Sequence, residues 1–195
     1  MALFNKRDLI ARADSELLKS YSTKSASTIL ESAALQFEKY YDIFLSHSFS
    51  DAKIVLGLKK EIEDMGFSIY VDWIEDKQLN RSNVSKKTAE VLRNRMLNCK
   101  SLFFATSDNS SDSIWMPWEL GYFDGIKGKV AILPITDQSH NGNSYSGQEY
   151  LGLYSYVTKD YTKGGKLQLW IQDSHDVYIN FPSWLEGNKP IKRQD

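Results

Sequence analysis

The sequence predicts an α/β domain built on a parallel sheet covered by helices on both faces. A helical arm precedes it and antiparallel strands follow it. Three observations carry this reading. Between Tyr40 and Ile135, short apolar runs alternate with stretches of helical periodicity, the pattern of a sheet whose crossovers are helices. Before residue 39, apolar residues recur at helical spacing only. Beyond Pro134 the chain turns rich in Gly, Asn and Ser, then runs through short strands separated by tight-turn residues.

The elements follow in order. Ile10, Ala13 and Leu17 share a helical face, as do Ile29, Ala33 and Phe37. Ser20-Tyr21-Ser22-Thr23-Lys24-Ser25 breaks the helix between them and offers a cap. Residues 1–38 are thus a helical extension, packed on the main domain or a second copy, or else a loosely ordered leader. Tyr41-Asp42-Ile43-Phe44-Leu45-Ser46 reads as a buried strand. Residues 51–65 follow as a helix, with Ile54, Leu58, Ile62 and Met65 on one stripe, Asp51 as cap and Gly66 as stop. Phe67–Val71 is the second strand, residues 72–84 a long polar loop, and residues 85–98 a helix with Ala89, Leu92 and Met96 inward. Ser101–Thr106 is the third strand. Asp108–Ser113 is a loop that caps a helix carrying Glu119, and Lys129–Ile135 is the fourth strand.

After a mobile loop over 136–149 come Tyr154–Val157, Lys166–Ile171 and Val177–Phe181, with turns at Gly164-Gly165 and Asp173-Ser174-His175-Asp176. They read as an antiparallel addition at the sheet edge. Ser183–Glu186 is a last helical turn, and residues 189–195 are expected to fray.

Composition narrows the function. A net charge of −1 gives no global field toward nucleic acid or anionic lipid. Cys99 is the only cysteine, and His47, His140 and His175 lie far apart, so no intrachain disulfide forms and no metal site is expected. No apolar run is long enough to span a bilayer and the amino terminus lacks a signal-peptide core, so the expected location is cytoplasmic. Gly-x-Gly-x-x-Gly, a Walker lysine loop, Gly-x-Ser-x-Gly and His-Glu-x-x-His are all absent.

In a parallel sheet, ligands bind at the carboxyl ends of the strands. That rim would carry Ser46-His47-Ser48, Asp72-Trp73, Thr106-Ser107 and the turn leading to Glu119. Trp115-Met116-Pro117-Trp118-Glu119-Leu120-Gly121-Tyr122 sets one carboxylate between two indoles, and Trp115 and Glu119 share a helical face. A carboxylate beside an aromatic wall holds a polyhydroxyl ligand and stabilises developing positive charge. The alternative is an amphipathic helix with a solvated acid. His47 is either a base or a residue that shapes its loop. Asp72-Trp73 is either a ligand contact or a strand-end turn.

Tyr41-Asp42-Ile43-Phe44-Leu45-Ser46-His47 resembles the first-strand box of TIR domains. Tyr70-Val71-Asp72-Trp73 and the polar loop after it are similar to their second box and BB loop, and Trp115-x-x-x-Glu119 falls where enzymatic TIR domains carry their catalytic glutamate. The resemblance covers residues 40–135 well and is nearest to bacterial stand-alone TIR proteins, including the TIR subunits of Thoeris anti-phage systems. It implies a flavodoxin-like, three-layer TIR domain over 39–160, with the helical extension over 1–38 and a hairpin and tail over 161–195 packed on it. It also implies an NAD nucleosidase or ADP-ribosyl cyclase. Such an enzyme releases nicotinamide plus ADP-ribose or a cyclic isomer as a defence signal. Glu119 would be catalytic, with Ser46, His47, Ser48, Asp72, Trp73 and Trp115 binding substrate. NAD would be the substrate and no cofactor would be needed. The partners implied are a product-sensing effector and further copies of the chain, with no nucleic acid or membrane.

The chain departs from the pattern in two places. Residues 74–84 lack the Pro-Gly pair familiar from receptor TIR domains, and hairpins after residue 150 replace a simple fifth strand and helix. Two other functions compete: a non-catalytic TIR interaction module, and a nucleoside-deoxyribosyltransferase-like enzyme that cleaves nucleosides and ignores NAD.

Overall fold

The computed structural model describes residues 1–19, 40–71, 85–107, 113–137, 145 and 149–193. The break expected over 20–25 and the helix expected around Ile29, Ala33 and Phe37 lie outside the described residues, as do the loop over 72–84 and most of those over 108–113 and 136–149.

Strands β1 (Phe4–Asn5), β2 (Tyr41–Ser46), β3 (Ile69–Val71), β4 (Cys99–Thr106), β5 (Val130–Thr136), β6 (Tyr156–Tyr161), β7 (Leu167–Ser174), β8 (Val177–Asn180) and β9 (Ile191–Lys192) form one sheet. Its order is β3-β2-β4-β5-β6-β7-β8-β9, with β1 also on β5. The pairs from β3 to β6 are parallel and those from β6 to β9 antiparallel. The helices are α1 (Lys6–Lys19), α2 (Ala52–Asp64), α3 (Lys86–Leu97), α4 (Met116–Lys127) and the short α5 (Phe181–Leu185).

The period-two alternation of the central strands divides the apolar residues between two cores. Ile43, Leu45, Phe103, Ala131 and Leu133 face α1, α2 and α5. Phe44, Leu102, Phe104, Val130 and Ile132 face α3 and α4. Three layers therefore follow from strands that are apolar on both faces.

Four expectations need correction. Tyr156–Tyr161 is a parallel neighbour of β5 through Ile132 and Tyr156, so the fifth strand is retained, and only β7 to β9 are an antiparallel addition. Phe4–Asn5 is a strand, registered with Ile135 and Thr136. The tail pairs with β8 through Ile191 and Lys192. Asp51 precedes α2 without capping it through its side chain. The expected stop holds, with Gly66 ending α2 at a φ of +94°; α3 is capped by Ser85, whose Oγ accepts from the Thr88 N–H at 3.1 Å.

Helix α1 lies against α2, and its closest approach is at Gly57. A Cβ built there would sit 1.9 Å from the Leu9 carbonyl oxygen. Leu9 and Ala13 are fully buried in this contact, and Lys53–Asp14 (2.9 Å) and Arg12–Asp64 pair charges at its margin.

At the amino end of the sheet, Asp42 ties three strands. Its carboxylate accepts from the Ser68 N–H and hydroxyl, both at 2.9 Å, and from Lys100 Nζ at 2.8 Å. Burial alone would raise its pKa, but the Lys100 and Ser68 bonds outweigh it and hold the carboxyl below its ordinary value. A depressed carboxyl pKa contributes stability above the unfolded carboxylate range and loses it as pH falls through the folded value. Asp42→Asn is expected to cost about 1 kcal/mol at pH 7. Urea titrations from pH 7 downward will show the gap to wild type closing below about pH 4. A gap that persists unchanged in acid would show that the charge is not involved.

Candidate active site

Strand β2 and α4 bring the candidate residues together. Ser46 ends β2 on the same face as Phe44, the face that α4 covers. Ser113 Oγ accepts from the Met116 N–H at 3.3 Å, and Pro117 in the first turn has the φ a helix needs, so α4 begins just before Glu119. Met116, Glu119, Leu120 and Phe123 form its buried stripe. Glu119 thus occupies a core position and is 4% exposed, although a solvated acid belongs on the opposite face. Ser46 Oγ donates to Glu119 Oε2 at 2.5 Å, a bond between buried residues far apart in sequence.

Helix α4 is held on three sides. Trp118 and Tyr122 stack at 5.5 Å, and the Arg93 guanidinium of α3 lies over them at 5.5 and 5.8 Å. Lys127 Nζ donates to the carbonyls of Leu97 and Cys99 at 2.7 and 2.5 Å. Tyr154 Oη donates to Asp124 Oδ2 at 3.1 Å. These contacts set the height and rotation at which Glu119 meets β2.

Trp115 is 5% exposed and belongs to the core against α4, its ring edge-on to Trp118 at 5.5 Å. It forms an enclosed aromatic wall beside Glu119. Its indole N–H has no hydrogen-bond partner among the described residues. His47 and Ser48 are buried directly after Ser46. His47 Nδ1 lies 2.9 Å from the Leu45 carbonyl, which only accepts, so Nδ1 carries a proton and the ring is fixed against the strand end. Asp72 and Trp73 lie outside the described residues.

Sequence reasoning missed two rim features. Asp51, read as a helix cap, is a second buried carboxylate, and Ser107 after β4 donates to it. The signal was available: an acid closes the run Ser46–Asp51, polar but for Phe49, behind a buried strand. Tyr145 packs against the same core as Trp115. Burial raises its hydroxyl's pKa, opposed by a hydrogen bond with Thr106 at the end of β4. Cys99 lies at the opposite end of β4, and burial pushes its thiol up to about 12, so it offers no nucleophile. Among the described residues no cluster of three or more His, Cys, Asp or Glu side chains is arranged to hold a metal ion. No helix of the described residues is long and apolar enough to cross a membrane.

The chain is 55% identical over 194 residues to a Bacillus cereus (strain MSX-D12) protein named "Probable 3' cyclic ADP-D-ribose synthase ThsB'". The match covers 96% of this chain and all of that protein. A Cytobacillus dafuensis protein named "Putative cyclic ADP-D-ribose synthase TIR2" is 31% identical over 131 residues, which is 62% of this chain and 35% of the longer protein. No family model matches the chain.

Proposed function

Because the chain belongs to the TIR family of cyclic ADP-D-ribose synthases, we propose that it cleaves the nicotinamide–ribose bond of NAD and closes the remainder into a cyclic ADP-ribose. The observation that carries this is Glu119 itself: a carboxylate placed on a core stripe and hydrogen-bonded at the sheet's carboxyl rim.

The chemistry fits a single carboxylate. The nicotinamide nitrogen of NAD is positively charged, so the bonding pair leaves with it and nicotinamide departs neutral. No general acid is needed, in contrast to glycoside hydrolysis with its two carboxyl groups. Positive charge develops at the ribose as an oxocarbenium-like centre, and Glu119 stabilises it electrostatically. A hydroxyl elsewhere in the same molecule then attacks the anomeric carbon and releases its proton. Water attacking instead would give ADP-ribose. Enclosure by Trp115, Ser48 and His47 favours the internal nucleophile by limiting water at the anomeric carbon.

In this reading NAD is the substrate and no further cofactor takes part. The protein acts in the cytoplasm, self-associates when active, and its product is a signal in bacterial anti-phage defence, read by an effector. His47, Ser48, Asp72, Trp73 and Trp115 surround the substrate, and Ser46 stands behind Glu119. The test is a chromatogram of NAD incubated with concentrated purified protein. Nicotinamide is expected in equal amount with a nucleotide one water lighter than ADP-ribose. Folded protein that releases no nicotinamide at any concentration would refute the reading.

A further inference from the structure

We infer that Ser46 is a positioning residue for Glu119, acting on the reaction through that carboxylate and not as a donor to the substrate. The inference rests on the function proposed above.

The argument begins with donor capacity. A serine hydroxyl has one proton to donate. Ser46 directs it to Glu119 Oε2 at 2.5 Å, the short end of the O–H···O range. The proton that a substrate contact would use is already committed.

Glutamate has three rotatable side-chain bonds, and a carboxylate that must face a developing charge is useful only if its direction is set beforehand. The helix contacts on α4 fix the backbone of Glu119 but not its carboxylate. Ser46 supplies that restraint from a different element, and its own place is fixed by the β2–β4 register, where it pairs with Phe104. It is 1% exposed, so water does not compete for the bond.

The experiment measures kcat and KM for NAD in wild type, Ser46→Ala, Ser46→Thr, Ser101→Ala and Glu119→Gln, with thermal melts to confirm folding. Ser101 is the matched control. It is fully buried on β4 and donates to the Asp42 carbonyl at 2.7 Å, at the other end of the sheet. Ser46→Ala is expected to lower kcat about 10- to 100-fold with KM within about twofold. Ser46→Thr, which keeps the hydroxyl, should recover most of that loss, and Ser101→Ala should keep the wild-type kcat. Should the alanine variant not fold, Ser46→Cys keeps the volume with a much weaker donor and is expected to show the same fall in kcat.

An unchanged kcat in folded Ser46→Ala would overturn the inference, as would a loss confined to KM or an equal loss in Ser101→Ala. A folded Ser46→Thr as impaired as alanine would also overturn it. If folded wild type releases no nicotinamide, the proposed function itself falls; if Glu119→Gln turns over NAD like wild type, Glu119 is not catalytic and the role of Ser46 falls with it. If Glu119→Gln is inactive while Ser46→Ala is fully active, only the role of Ser46 falls.

Discussion

Glu119→Gln is expected to abolish measurable nicotinamide release from NAD while leaving the fold in place. Glutamine keeps the shape of the side chain and an oxygen that accepts from Ser46, so the bond at 2.5 Å has a successor and the core stripe of α4 stays filled. What disappears is the negative charge proposed to face the ribose. Removing one preorganised electrostatic group from a transition state costs about 3 kcal/mol, or at least about a hundredfold in rate. The site is buried, so the loss falls at the strong end of that range, because little water is available to replace the missing charge. Single-turnover assays at high enzyme concentration, with melting curves alongside, will check it. Wild-type turnover in a folded Glu119→Gln protein would show that Glu119 is not the catalytic carboxylate.

Gly57→Ala is expected to be the most destabilising alanine substitution among the described glycines. The added Cβ would lie 1.9 Å from the Leu9 carbonyl oxygen and 2.7 Å from its carbon. Both are backbone atoms, so no side-chain rotation relieves the clash, and α1 must lift away from α2. Lifting it uncovers Leu9 and Ala13 and slackens the pairing of β1 with β5. Overpacking of this kind costs about 3 kcal/mol, a fall in Tm of roughly 6–12 °C for a chain of this size. Gly125→Ala is the contrasting case. Nothing lies within 4 Å of its Cβ position on α4, and alanine is the better helix former, so a gain of about 0.5–1 kcal/mol is expected. Calorimetry of the two variants decides it, and a Gly57→Ala protein that melts with wild type would mean that α1 is not seated on Gly57.

The difference between these glycines marks what sequence patterning conveys. Strands β2, β4 and β5 were legible because each is a continuous apolar run closed by polar or turn residues, and α2 because its stripe and its Gly66 stop are local signals. Strands β1 and β9 were not. Two residues are too few to show a period, and their pairing is decided by partners far along the chain. The direction of β6 is hidden for the same reason: Val157 and Thr158 suit either a parallel or an antiparallel neighbour.

At the site, the Trp-x-x-x-Glu spacing foretold that Trp115 and Glu119 share a face, and both are buried together. It did not tell how deeply Trp115 is enclosed, since that depends on which residues pack over it. The Ser46–Glu119 bond follows from bringing the end of β2 beneath the first turn of α4, a matter of sheet order and not of local composition. Asp51 was misread because its partner, Ser107, belongs to another strand end.

The seat of β1 has a further consequence. Strand β5 borders β6 at Ile132 but borders β1 at Ile135 and Thr136, so the chain's first residues form one flank of the upper sheet. Phe4 is fully buried there. On the ribosome those residues emerge early, yet their seat does not exist until Thr136 has been made. Phe4–Asn5 must therefore wait until β5 has been made before it docks. Closure of this flank belongs among the last folding events, where contacts this distant in sequence make assembly slow.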